Sequence, residues 1–123
     1  MSKRILIADD EPNIVVSLEF LMKREGFDVS TAADGEAALA ALASGAPDLV
    51  LLDIMLPKMN GFEVCQRIRA NPQWSGVKVL MLTAKGRDTE VSKGLALGAD
   101  AYVTKPFSTK DLVAQIRQLL GLG

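Results

Sequence analysis

Residues 48–53 read DLVLLD, four apolar residues in a row bracketed by two aspartates. A strand with one face in water alternates polar and apolar side chains, and this one does not. An unbroken Leu/Val run needs cover on both faces, which a parallel sheet between two layers of helix provides. To either side, RILIA at 4–8 and VKVLML at 77–82 have nearly the same character. Weaker runs, DVSTA at 28–32 and AYVT at 101–104, complete a set of five at fairly even spacing.

Helical patterns fill the gaps. Ile14, Val15, Leu18, Leu21 and Met22 share one helix face behind Pro12, a residue suited to a first turn. Asp34 is placed to cap an Ala-rich stretch at 36–43. Phe62, Cys65 and Ile68 mark a third helix. A fourth is predicted over about 87–97; it carries Gly94, starts just after Gly86 and is the weakest. Leu112, Val113, Ile116, Leu119 and Leu120 mark the last, with Ser108 and Asp111 as a capping pair. Strand and helix alternating five times predicts an α/β fold, a five-stranded parallel sheet doubly wound with five helices.

The 123 residues suit one domain and one core, and no linker, repeat or low-complexity stretch divides them. A single domain over 1–123 with no effector domain is expected; Gly121-Leu122-Gly123 reads as a loose terminus or the start of a linker. Fourteen basic and fifteen acidic residues argue against this domain gripping a nucleic-acid backbone. No apolar run approaches the ~20 residues of a membrane helix, and the start is too short for a signal peptide. The single cysteine, Cys65, has no internal disulfide partner, which fits a reducing, cytoplasmic setting. The chain has no histidine. That removes Ser-His and Cys-His nucleophiles, an internal phosphohistidine and the commonest zinc ligand, leaving carboxylates, hydroxyls and lysine to carry any chemistry.

In open α/β sheets ligands bind beyond the carboxyl ends of the strands. The first run ends in Asp9-Asp10-Glu11, the third in Asp53, the fourth in Thr83 and the fifth in Lys105. Any one of these has a bland reading as a loop starter or helix cap. All of them at one edge do not.

Four pieces carry a resemblance to a known family: ILIADDEP at 5–12, LVLLDIMLPKMNGFE at 49–63, VLMLTA at 79–84 and GADAYVTKPF at 98–107. Together they resemble the receiver domain of two-component response regulators, the CheY-like superfamily, over essentially the whole chain. The resemblance implies the flavodoxin-like strand order 2-1-3-4-5. With neighbouring strands ~4.8 Å apart, the acids after the first strand then lie beside Asp53. Thr83 is one strand further and Lys105 two, roughly 10 Å away, so a short hydroxyl and a long ammonium match their distances.

The resemblance further implies a role for each residue. Asp53 is the phosphoacceptor, with Lys105 and Thr83 completing the catalytic set. Magnesium (or manganese) is the cofactor, bound by Asp10, Asp53 and the backbone carbonyl of Met55, with Asp9 acting through water; an all-oxygen acidic site suits such a hard cation. Thr83 and Tyr102 form the switch, acting on an output surface around the fourth helix, fifth strand and fifth helix. Pro57, Gly61 and Pro106 shape the site, the Lys105-Pro106 peptide being cis, and Met55 and Lys85 tune dephosphorylation. The domain is a regulator that catalyses only its own phosphorylation and dephosphorylation. Its partners are a sensor histidine kinase or phosphotransfer protein upstream, and a protein target or a separate effector domain downstream.

Rival readings are weaker. A haloacid-dehalogenase type enzyme also uses a strand-end Asp and Mg²⁺, but needs an acid two residues later, where this chain has Met55. A flavodoxin needs a Ser/Thr/Gly-rich phosphate loop where Asp9-Asp10-Glu11 stands, and no P-loop is present. A degenerate receiver acting only as an interaction module remains as the alternative. Salt-bridged receiver dimers of winged-helix regulators use charged residues where this chain has Val91, Ala101 and Gln115. The expectation is therefore a monomer or weak dimer, with Leu95 and Leu112 as the apolar part of that face. Trp74 is expected as a locally packed loop aromatic.

Overall fold

The computed structural model describes residues 3–84 and 88–122. Five strands and five α-helices alternate: β1 (Arg4–Ala8), α1 (Pro12–Arg24), β2 (Asp28–Ala32), α2 (Gly35–Ser44), β3 (Leu49–Asp53), α3 (Gly61–Ala70), β4 (Lys78–Ala84), α4 (Asp88–Ala96), β5 (Ala101–Lys105) and α5 (Thr109–Leu119). All neighbouring strands pair in parallel, in the order β2-β1-β3-β4-β5.

The apolar runs are buried on both faces, and their side chains alternate between two cores. Leu6, Val50, Leu52, Val79 and Met81 face α2 and α3, meeting Ala38, Leu42, Val64, Cys65 and Ile68. Ile5, Ile7, Leu49, Leu51, Leu80 and Leu82 face α1 and α5, meeting Leu18, Met22, Leu112 and Ile116. Each fully buried aliphatic side chain contributes about 1.5–3 kcal/mol over an exposed one, so the three central strands carry most of the apolar stabilisation.

The expected caps are present. Asp34 accepts a hydrogen bond from the Ala37 N–H at 2.7 Å, and Ser108 accepts one from the Asp111 N–H at 3.3 Å. Pro12 occupies the first turn of α1. Trp74 ends a short 3₁₀ turn (Pro72–Trp74) and packs partly buried against the α2–α3 core. It precedes β4, so it lies at the sheet edge away from Asp53 and Thr83.

Three strands run further than their apolar runs. Pairing continues through Asp53 opposite Leu82, Thr83 opposite Thr104, and Ala84 opposite Lys105. Asp53, Thr83 and Lys105 are therefore strand residues rather than the first residues of loops. Backbone hydrogen bonding does not require apolar side chains, so hydropathy alone stops the strands early.

Candidate functional site

β1 and β3 are adjacent, so the residue after β1 and the last residue of β3 meet at one edge. Asp9 is 1 % exposed and Asp53 5 % exposed; Asp10, the next residue along, faces solvent. One carboxylate oxygen from each of Asp9, Asp10 and Asp53 lies within 4.8 Å of the others. The Asp9 carboxylate is fixed from both sides: one oxygen accepts the Glu11 N–H at 2.9 Å, the other the Lys105 ammonium at 3.0 Å.

Lys105, the last residue of β5, reaches back over β4 to this cluster. Its Nζ lies 3.1 Å from a Glu11 oxygen and 3.7 Å from an Asp53 oxygen. The other Asp53 oxygen accepts the Met55 N–H at 3.2 Å. Burial pushes the Asp53 carboxyl above its ordinary range, and the Asp9 charge adds to the rise; Lys105 and the Met55 N–H pull the other way without cancelling it. Burial also opposes the Lys105 ammonium, but its hydrogen bonds to Asp9 and Glu11, with the charges of Asp53 and Asp9, hold its pKa above the usual lysine value. Four carboxylates around one ammonium leave a surplus of negative charge. With two of them almost wholly buried and only oxygen donors present, the cluster fits a hard divalent cation.

Thr83 is buried, and among the described residues its hydroxyl donates only a long 3.4 Å bond to the Ala84 carbonyl. It faces a hollow of about 290 Å³ that Asp10, Asp53, Met55, Glu90 and Lys105 also line. The Met55 side chain is 65 % exposed at the rim. Tyr102 is on β5 and 42 % exposed; with Thr83 it lines a narrow hollow beneath α4. The Lys105-Pro106 peptide is cis. Pro57 ties the loop after β3 to α2, its carbonyl accepting the Gly35 N–H at 3.2 Å. Gly61 is needed for space: a Cβ there would meet the Asp53 carbonyl oxygen at 2.5 Å and the Ile54 Cα at 2.8 Å. Lys85 and Gly86 lie outside the described residues.

The structure thus brings Asp9, Asp10, Asp53, Met55, Thr83 and Lys105 together. It adds Glu11, which the sequence marked only as the third of three acids. The sequence also holds no sign of the contacts of Arg69, because they join α3 to Val77 just before β4 and to the loop before β5.

A family model described as the response regulator receiver domain matches residues 5–117. The chain belongs to the response regulator receiver family. It is 49% identical over 120 residues to the DNA-binding response regulator MtrA of Mycolicibacterium smegmatis, covering 98% of this chain and 51% of that one. It is 47% identical to the alkaline phosphatase synthesis transcriptional regulatory protein PhoP of Bacillus subtilis, covering 98% and 49%. The chain spans about half the length of these relatives. Among solved structures, a response regulator from Chloroflexus aurantiacus superposes with a TM-score of 0.95 at 33% identity, covering 98% of this chain and 99% of that one. The chemotaxis response regulator CheY4 of Vibrio cholerae superposes with a TM-score of 0.91 at 29% identity, covering 97% and 99%. This receiver therefore has the flavodoxin-like fold of CheY-like proteins and belongs to the phosphorylation-dependent signalling of two-component systems. Among the described residues no helix is long and apolar enough to cross a membrane.

Proposed function

We propose that this receiver accepts a phosphoryl group on Asp53 from a phosphohistidine of a sensor kinase or phosphotransfer protein. The observation that carries the reading is the Asp53 carboxylate, buried beside two further aspartates with one lysine ammonium 3.7 Å away. An Asp53 oxygen attacks phosphorus in line; the P–N bond breaks, and the imidazole leaves with its electron pair and takes a proton. Lys105 offsets charge on the phosphoryl oxygens, and the Met55 N–H orients the carboxylate. The product is an acyl phosphate. Water attack on phosphorus returns the carboxylate and inorganic phosphate, at a rate tuned by the side chains of Met55 and Lys85.

Asp10, Asp53 and the Met55 carbonyl would hold Mg²⁺ or Mn²⁺, with Asp9 acting through water. The ion would supply a Lewis acid against the charge that develops at the phosphoryl group. Thr83 donates its hydroxyl to the new phosphoryl oxygens, and Tyr102 follows into the space under α4. Helix α4, strand β5 and helix α5 form the output surface, read by a protein target or an effector domain. The setting is the cytoplasm, and the domain itself contacts no nucleic acid and no membrane.

The competing reading is a degenerate receiver that only binds proteins. Beryllium fluoride with Mg²⁺ mimics the acyl phosphate and separates the two. The expected outcome is a conformational change at Thr83, Tyr102 and α4, followed by backbone NMR and lost in Asp53→Ala. An unchanged spectrum contradicts the proposal and favours the interaction module.

A further inference from the structure

Glu11 occupies the N-cap of α1, where Ser, Thr, Asp or Asn normally accepts a hydrogen bond from the first turn. Its side chain makes no such bond. Instead it crosses the strand ends to the Lys105 ammonium, 3.1 Å from Nζ, while its backbone N–H holds Asp9 at 2.9 Å. Lysine is long and flexible, and an ammonium has three donors. Without Glu11 the Lys105 head would keep one hydrogen bond, to Asp9, and a looser ion pair to Asp53 at 3.7 Å. Asp9 and Glu11 together give it two hydrogen bonds, which hold it on the Asp53 side of the pocket.

We infer that Glu11 is a positioning residue for phosphoryl acceptance, giving up the cap of α1 to hold Lys105 beside Asp53. The inference rests on the assignment of Lys105 to phosphoryl stabilisation. A charged donor group that is already in place needs no reorganisation when charge develops at phosphorus. Glu11 also puts one more negative charge at the mouth, which opposes an anionic phosphodonor. Its removal therefore acts in two directions: the maximal rate falls because Lys105 loosens, while donor half-saturation stays level or improves.

The test uses Mg²⁺-dependent labelling by acetyl phosphate, with maximal rate and donor half-saturation measured separately, alongside thermal melting. Glu11→Ser restores a good N-cap residue and removes the acceptor for Lys105. The melting temperature is expected to rise by about 2–4 °C, while the maximal labelling rate falls by about two- to fivefold, the size of a rim-exposed ion pair. Glu11→Gln keeps an oxygen that accepts from Lys105 and is expected to lie between Glu11→Ser and the parent in rate. In a Lys105→Ala background Glu11→Ser is expected to leave the residual rate unchanged. Stability and rate falling together, or an equal rate loss in the Lys105→Ala background, overturns the inference. So does a parental rate in Glu11→Ser. A parental rate in Lys105→Ala itself is the separate failure of the Lys105 assignment.

Discussion

Arg69 and Asp100 form an ion pair at 2.7 Å, and the same Asp100 oxygen accepts the Val79 N–H at 2.8 Å. Arg69 also donates to the carbonyls of Gly98 and Val77, each at 2.8 Å. One side chain of α3 thereby ties the start of β4 to the loop that leads into β5. Gly98 is held at φ +107, and a Cβ there would meet the Arg69 Cγ at 2.7 Å. Asp100, though at the surface, is thus already committed to partners within the domain. Asp100→Ala is expected to cost about 2 kcal/mol by leaving Arg69 and the Val79 N–H short of a partner. Urea unfolding checks it; a loss within error of zero would mean the pair is solvated and inert.

Gly61 is equally constrained, but by backbone. Gly61→Ala forces its methyl against the Asp53 carbonyl oxygen and Ile54 Cα, neither of which is the end of a flexible chain. A stability loss of about 1–3 kcal/mol is expected, together with slower labelling because Asp53 shifts. Urea unfolding and acetyl phosphate labelling of the same sample measure both. A variant with parental labelling would show that the loop after β3 adjusts without disturbing Asp53.

The burial of Asp53 has a pH signature. Burial, then the Asp9 charge, raises its carboxyl above the ordinary 3.8. A raised folded-state pKa contributes stability that is present below about 3.8 and lost as pH climbs through the raised value. In chelator, Asp53→Asn is expected to stabilise the protein relative to the parent, with the gain absent near pH 3.5 and growing toward neutrality. Saturating Mg²⁺ shrinks the gain, because the cation offsets the same charge. Thermal melts across this range decide it; a variant less stable than the parent at neutral pH in chelator would reverse the sign.

Two aspartates side by side are expected to differ in their hold on the cation. Asp10→Ala should weaken Mg²⁺ binding more than Asp9→Ala, since Asp9 is already committed to Lys105 and the Glu11 N–H. Titration calorimetry is the appropriate reading, because Trp74 precedes β4 at the far edge of the sheet and its fluorescence is remote from the pocket. Equal losses would put Asp9 in direct contact as well.

Much of this was legible in the residues, for physical reasons that differ from site to site. The doubly covered strands could be read because LVLL and ILI leave no polar face. The site edge could be read because strand ends in a parallel sheet must converge, so Asp9, Asp53, Thr83 and Lys105 met once the strand order was known. The strand ends themselves were misplaced by one or two residues, since hydropathy stops at Leu52 and Leu82 while pairing continues to Asp53 and Ala84. Leu112 was expected on an open apolar face, yet it is wholly buried against the sheet, leaving Leu95 exposed there. That distinction depends on the rotation of α5, which a helical period alone does not set. Glu11 and Arg69 act through contacts between elements far apart in sequence, and no local pattern announces those.

The face of α4, β5 and α5 bears on assembly. Val91, Ala101 and Gln115 offer no charges there, and a two-fold interface repeats each missing pair. Even with beryllium fluoride the domain is expected to sediment as a monomer or weak dimer. A tight activation-dependent dimer that Asp111→Lys disrupts would contradict this.

The most direct test of the central claim is acid-labile, hydroxylamine-sensitive labelling of the parent and of Asp53→Asn by a phosphohistidine donor in Mg²⁺. The amide keeps the size of the carboxylate but is neither anionic nor nucleophilic. The parent is expected to take up one phosphoryl group per chain, mapped to Asp53, and the variant none that is stable. Labelling of the variant at the parent's level, with the label on another residue, would contradict the account.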